Sequence, residues 1–171
     1  MVFILVKKMQ SIDYFELQIR NDLIELRSMS EWLSQACKKL AMTDDLARDL
    51  DACANEAVAN IILYAYEDLE SHQINMRLEL KDSSLIFTIQ DDGIAFDPFN
   101  SKATLSQSYD TIGEITIGGF GIKLIRSLAN ECNYYRSDNK NIISLSFYLY
   151  QASATSILGE NSPFFLNSCH Y

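Results

Sequence analysis

Glu56 and Asn60 lie four residues apart in a segment whose apolar residues recur every three or four positions. That spacing predicts a helix on which the two side chains share one face, one turn apart. The predicted buried stripe is Cys53, Ala57 and Ile61, so the pair borders it on a more polar face. A carboxylate and an amide placed in this way can hold a hard cation such as Mg²⁺ and orient a hydroxyl or a water. An ordinary solvated helix face also carries such pairs.

An acidic turn, Asp91-Asp92-Gly93, ends a segment in which Leu85, Phe87 and Ile89 alternate with other residues. A carboxylate at the end of a strand can accept a hydrogen bond from an exocyclic amine such as that of adenine. Gly93 would let the backbone adopt a positive φ or approach a ligand closely. Taken alone, an Asp-Gly pair is also typical of a simple turn after a strand.

A glycine-rich segment, Gly118-Gly119-Phe120-Gly121, opens a third helical pattern. Exposed N–H groups and the helix dipole at such a start favour bound phosphate. The segment is not a P-loop because no Gly-Lys-Ser/Thr follows, and it lacks the preceding strand that a dinucleotide-binding turn requires. A glycine-rich hinge is the alternative interpretation.

The order of these three motifs along the chain is more specific than any one of them. Residues 56–60 followed by Ala65-Tyr66, then residues 91–98, a polar segment and residues 118–125 resemble the N, G1 and G2 boxes of the GHKL superfamily. That superfamily includes histidine kinases, gyrase and MutL. The finer detail is similar to the branch of anti-sigma-factor serine/threonine-protein kinases, and the resemblance spans about residues 15–149.

The resemblance implies a role for each matching residue. Glu56 would be the general base that activates a hydroxyl or a water, and Asn60 would ligate Mg²⁺. Asp91 would bind the adenine amino group of ATP, with Gly93 giving the backbone room. The remaining implied parts are a phosphate-binding set of Gly118, Gly119 and Gly121 and a mobile lid over residues 100–117.

Alternation of apolar residues predicts strands, and helical spacing predicts helices. The predicted elements are a strand at 15–19, a helix at 22–40, a helix after the N-cap Thr43, strands at 74–80 and 85–89, a helix from Gly118, and strands at 134–136 and 143–149. Turns are predicted at 82–84 and 138–141. The pattern favours an α+β two-layer sandwich, the Bergerat or histidine kinase-like ATPase fold, with helices on one face of a mixed, mostly antiparallel sheet.

Residues 1–150 are expected to form one ATP-binding domain, and residues 151–171 a loosely ordered tail. Residues 98–117 are polar and predict a long loop, which is commonly a functional feature. The apolar start, residues 1–6, is too short for a membrane span or a signal sequence. It could be a leading strand.

The composition narrows the class of partner. The 171 residues carry 14 basic and 23 acidic side chains, a net charge of −9, which argues against nucleic-acid binding. The four cysteines form no metal-binding pair, so we expect no zinc site and a cytoplasmic location. No membrane partner is expected.

The resemblance implies an ATP- and Mg²⁺-dependent serine/threonine-protein kinase that acts as an anti-sigma factor. Its partners would be a STAS-type anti-anti-sigma protein, as substrate, and a sigma factor, and a homodimer is an expectation. A nucleotide-gated binding protein without useful kinase activity is the alternative. The ATPase half of a histidine kinase fits less well because no phosphoacceptor-histidine helix is evident.

Overall fold

The computed structural model describes residues 14–100 and 119–149. The elements in chain order are β1 (Tyr14–Arg20), α1 (Glu25–Lys39), α2 (Asp44–Tyr64), β2 (Gln73–Lys81), β3 (Ser84–Asp91), α3 (Gly119–Leu128), β4 (Glu131–Ser137) and β5 (Lys140–Tyr148). The possible leading strand at 1–6, Gly118, nearly all of the predicted lid and the tail at 151–171 lie outside the described residues.

The five strands form one sheet in the order β1-β2-β3-β5-β4. All four of the pairings between described strands are antiparallel, and β3 is the central strand. Together with the helices, this sheet confirms the predicted α+β fold. β3 is therefore paired with a neighbouring strand on both sides, with β2 on one and β5 on the other.

The core lies between one face of the sheet and the helices. Alternate residues of β3, and of β2 over most of its length, are buried. Phe87 on β3 faces Leu78 on β2 and Leu145 on β5 in register. Met29 and Leu33 of α1 are fully buried against the same cluster. The opposite face carries polar pairs between neighbouring strands.

Helix α2 begins where the sequence predicts it. The Thr43 hydroxyl accepts a hydrogen bond from the Leu46 N–H at 3.3 Å, and Asp44 and Asp45 occupy the first turn, next to the positive end of the helix dipole. Cys53 is buried on this helix, as expected of a small apolar residue. In the two described ranges, no helix combines the length and apolarity needed to cross a bilayer.

The turn between β4 and β5 is shorter than the sequence suggested. The predicted turn covered 138–141, but only Asp138 and Asn139 lie outside the strands, with φ values of 51° and 61°. Asp and Asn tolerate this left-handed backbone, so a two-residue turn suffices. Asn141 consequently belongs to β5 and faces the interior.

The Thr43 cap gives a test of the local origin of α2. Thr43→Ala should lower the free energy of unfolding by about 1 kcal/mol because the Leu46 N–H loses its acceptor. Thr43→Ser keeps the hydroxyl and should restore most of the stability. Urea unfolding followed by circular dichroism measures both, and equal stability of all three proteins would contradict the cap.

Candidate functional site

The candidate site is built along one side of α2. Glu56 and Asn60 are both half-buried, beside the buried Cys53, Ala57 and Ile61. The structure thus places the pair as predicted, one turn apart at the border between core and solvent. Partial burial keeps the two polar groups accessible while the packed stripe beneath them fixes the helix.

Gly121 brings the start of α3 against Glu56. A Cβ atom built on Gly121 would lie 2.2 Å from Oε2 of Glu56, which is too short for any real contact. In this arrangement a larger residue at position 121 would require the flexible end of Glu56 to move. The first residue of α3 is Gly119, so Gly121 and its close approach to Glu56 belong to the first turn of this helix.

Gly93 makes a second close approach, at the other end of α2. A Cβ atom on Gly93 would lie 2.5 Å from the Ala65 carbonyl oxygen and 2.6 Å from its Cβ atom. The Ile94 N–H also donates to that carbonyl at 2.8 Å. The φ of Gly93 is not in the left-handed region, so close packing on α2 is the constraint that this structure shows for glycine here.

The two glycine contacts define the length of the site. Glu56 and Ala65 are nine residues apart on or next to α2, which corresponds to about 13 Å along a helix. Asn60 lies between them on the same helix. The motifs separated by 25 to 65 residues in sequence therefore meet along one helix, with the acidic turn at one end and the glycine-rich helix start at the other.

Asp91 ends β3 with a carboxylate that is only 3% exposed. Its Oδ1 atom accepts hydrogen bonds from the Gly93 N–H at 2.9 Å and from Nδ2 of Asn141 at 2.8 Å. No donor among the described residues is bonded to Oδ2. One oxygen is thus fixed by the protein and the other is available to an N–H donor of a ligand.

The burial of Asp91 also changes its acidity. Loss of solvent raises the pKa of this carboxyl above its ordinary value, and the nearby charge of Asp92 raises it further. The hydrogen bonds from Asn141 and Gly93 and the guanidinium of Arg136 act in the opposite direction, and burial prevails.

Asn141 is the residue that the sequence interpretation missed, because it was assigned to a turn. It lies opposite Asp91 in the β3–β5 register and is 4% exposed. Its Nδ2 also donates to the Ile94 carbonyl at 2.9 Å, and its Oδ1 accepts from Arg136 at 2.6 Å and Tyr134 at 2.9 Å. A polar residue at the start of an apolar strand was the available signal.

Tyr66 and His72 both lie in the connection between α2 and β2. Their rings stack with centroids 4.2 Å apart and an interplanar angle of 17°. The Tyr66 hydroxyl is buried and has no hydrogen-bond partner among the described residues. Burial raises the pKa of this phenol, and the charges of Asp91 and Asp92 raise it further. Among the described residues, this hydroxyl is thus a buried polar group without a hydrogen bond, in the electrostatic field of Asp91 and Asp92.

Comparison with known protein families matches residues 19–147 to the Histidine kinase-like ATPase domain. The chain belongs to this family. The match includes α2, the acidic turn and α3, and so covers every described part of the site.

Two of the proteins similar to this chain are named as protein kinases. The chain is 25% identical over 142 residues to the serine-protein kinase RsbW of Bacillus velezensis, covering 81% of this chain and 88% of that protein. It is 28% identical over 116 residues to the serine/threonine-protein kinase BtrW of Bordetella bronchiseptica, covering 67% and 80%.

A solved structure shares the fold. The structure of the RsbU and RsbW domains of a Mycobacterium tuberculosis protein is 12% identical with a TM-score of 0.56. The match covers 80% of this chain and 32% of that one.

The two glycines give a paired test. Gly93→Ala should lower the free energy of unfolding by more than about 2 kcal/mol because its methyl group meets the backbone of Ala65, which cannot move alone. Gly121→Ala meets the flexible end of Glu56, so its stability should change by less than about 1 kcal/mol. Chemical unfolding measures both, and a Gly121 variant less stable than the Gly93 variant would contradict this account.

Proposed function

We propose that this chain is an ATP- and Mg²⁺-dependent serine/threonine-protein kinase that acts as an anti-sigma factor. Its substrate is a serine or threonine of a STAS-type anti-anti-sigma protein. The unphosphorylated partner and a sigma factor compete for the kinase. This proposal joins the family membership to the names of the kinases RsbW and BtrW, which the chain resembles.

The contact between Gly121 and Glu56 carries the kinase proposal. It brings a carboxylate to the start of α3, where backbone N–H groups and the helix dipole favour phosphate. A general base has to lie within reach of the hydroxyl that it deprotonates, next to the phosphorus under attack. The position of Glu56 therefore suits a general base for phosphoryl transfer.

The acidic turn fits the base end of ATP. Oδ1 of Asp91 is held by Asn141 and Gly93, which leaves Oδ2 to accept the adenine amino group. The distance of about 13 Å from this end of α2 to Glu56 leaves room for a nucleotide lying along the helix. Gly119 and Gly121 then face its phosphates, and Gly118 is proposed to join them.

Glu56 and Asn60 offer the oxygen ligands that magnesium prefers. Asn60 would be the residue that holds the ion. The bound ion would neutralise the charge on the phosphates during transfer. The fit rests on the chemistry of an amide and a carboxylate one helical turn apart, both partly exposed.

Transfer then needs few groups from the protein. Glu56 accepts the proton of the substrate hydroxyl, whose oxygen forms the new bond to the γ-phosphorus as the bond to ADP breaks. The start of α3 stabilises the charge on the phosphates, and Asp91 keeps the adenine base of ATP in place.

The three cysteines of the described chain are free thiols, and the cytoplasm is the proposed compartment.

Asp91→Asn tests the base end of the site. Its Oδ1 still accepts from Asn141 and Gly93, but a donor replaces Oδ2 and opposes the adenine amino group. Loss of this charge-assisted bond of about 1.5–3 kcal/mol should weaken ATP binding about 10- to 150-fold. Calorimetry at constant Mg²⁺ measures the affinity.

The same variant has a second readout, in stability. Because burial raises the pKa of Asp91 in the folded state, its ionised form opposes folding at neutral pH. Wild-type stability should therefore rise as the pH falls through the folded-state pKa, and Asp91→Asn should lack that rise. Unfolding at pH 7 should find the variant at least as stable as wild type. Unchanged ATP affinity would contradict the role of Asp91.

Glu56→Gln tests the transfer step, since glutamine keeps the shape of Glu56 beside Gly121. ATP affinity should stay within about twofold, while transfer to a STAS-type protein should fall by at least about 100-fold. Radiolabelled ATP measures the transfer, and Glu31→Gln on the outer face of α1 is the control. Undiminished transfer by Glu56→Gln would exclude the base. ATP binding without transfer by wild type would favour the nucleotide-gated regulator.

A further inference from the structure

His72 lies between two carboxylates, just before β2. Its Nε2 atom is 2.9 Å from Oδ1 of Asp68, and its Nδ1 atom is 3.1 Å from Oδ1 of Asp92. The His72 side chain is 20% exposed, whereas each aspartate is 53% exposed. Asp68 follows α2 and Asp92 follows β3, so the imidazole joins two segments that the backbone does not connect directly.

The backbone of His72 is fixed independently of its ring. Its N–H donates to Oδ1 of Asn21 at 2.9 Å, and its carbonyl accepts from the Asn21 N–H at 3.1 Å. The end of β1 therefore holds the residue in place. The imidazole cannot leave the two carboxylates without a change of its own rotamer or of theirs.

The ring also packs against the buried side of the site. Tyr66 stacks on His72, and the buried Tyr66 hydroxyl lies in the field of Asp91 and Asp92. Asp92 and Asp91 are adjacent in the chain. His72 is hydrogen-bonded to Asp92 on the solvent side, and Asn141 of β5 is hydrogen-bonded to Asp91. Side-chain hydrogen bonds thus hold the acidic turn on both sides.

We propose that His72 is a positioning residue for the nucleotide site, which in its protonated form bridges Asp68 and Asp92 and thereby orders the turn that presents Asp91. The inference rests on the proposed function of Asp91 in binding adenine. It adds a dependence on pH that the family membership does not imply.

The protonation state of His72 decides how many hydrogen bonds its ring can donate. Both partners are carboxylates, which only accept hydrogen bonds when ionised. The imidazolium has two N–H donors and can serve both, whereas neutral imidazole has one and must lose one contact. The charged groups that face His72 are Asp68 from the α2–β2 connection and Asp92 from the β3 turn, with Asp91 behind Tyr66.

The direction of the pH effect follows from the charges. The hydrogen bond to Asp68 raises the pKa of His72 above its ordinary value, with Asp92 adding to it and desolvation opposing it. The bond to His72 correspondingly helps to lower the pKa of Asp68, after the larger effect of the Glu70 N–H. Stabilisation by the bridge is therefore complete below the ordinary histidine pKa and is lost as the pH rises through the raised one.

Calorimetry of ATP binding at saturating Mg²⁺ and at pH 6, 7 and 8 tests the inference on the full chain. Between pH 6 and 8, wild-type affinity should fall about fivefold more than that of His72→Gln. Ionisation of ATP itself between pH 6 and 8 affects wild type and variants equally, so it cancels in the comparison. His170→Gln, at the other histidine of the chain, should follow wild type.

Asp68→Asn gives a second variant that leaves His72 in place. It alters an exposed side chain, and it should flatten the pH dependence as His72→Gln does. Proton NMR titration supplies a readout without nucleotide. The His72 resonance, assigned by its absence in His72→Gln, should titrate above pH 6.5 in wild type and at lower pH in Asp68→Asn.

Identical pH profiles for wild type and His72→Gln would overturn this inference alone, as would titration of His72 at or below pH 6.5. Failure of wild type to bind ATP at every pH would overturn the proposed function and, with it, this inference. Pronounced pH dependence in wild type and its loss in both variants would establish His72 as a positioning residue.

Discussion

The buried carboxylate of Asp91 is the constraint around which the site is arranged. A charge that is 3% exposed at the end of the central strand is tolerated only when hydrogen bonds compensate for the lost water. Asn141 supplies the compensation from β5, and Arg136 and Tyr134 in turn hold the Asn141 oxygen. The position of β5 next to β3 is therefore as important to the site as α2.

Helix α2 provides the second constraint, since two glycines let other segments touch it. Gly93 fits the acidic turn against Ala65, and Gly121 fits the start of α3 against Glu56. Each contact fixes one end of the site relative to the same rigid helix. The Thr43 cap fixes the start of that helix, and the buried stripe through Cys53 packs it into the core.

The sequence was sufficient for the elements and for the residues with recognisable spacing. The shared helix face of Glu56 and Asn60 follows from helical periodicity, and the position of Asp91 from the end of an alternating strand, whereas their proposed roles come from the resemblance. The interpretation failed at Asn141, because a turn of Asp and Asn residues can close in two positions and the third and fourth then enter the strand. It also gave no hint of His72 between Asp68 and Asp92, because that contact depends on how the connection after α2 folds back. Periodicity carries no information on such contacts.

Some groups of the site lower the stability of the free protein and could be satisfied by a bound ligand. Among the described residues, an ionised Asp91 with one unbonded oxygen opposes folding, as does a buried Tyr66 hydroxyl without a hydrogen-bond partner. A ligand that donates to Asp91 would remove part of this cost, so binding would stabilise the folded state beyond the contacts that it adds. The fastening of the acidic turn by Asn141 and His72 keeps these unfavourable groups in place before a ligand arrives. Such preorganisation lowers the entropy lost on binding, at the expense of the stability of the free protein.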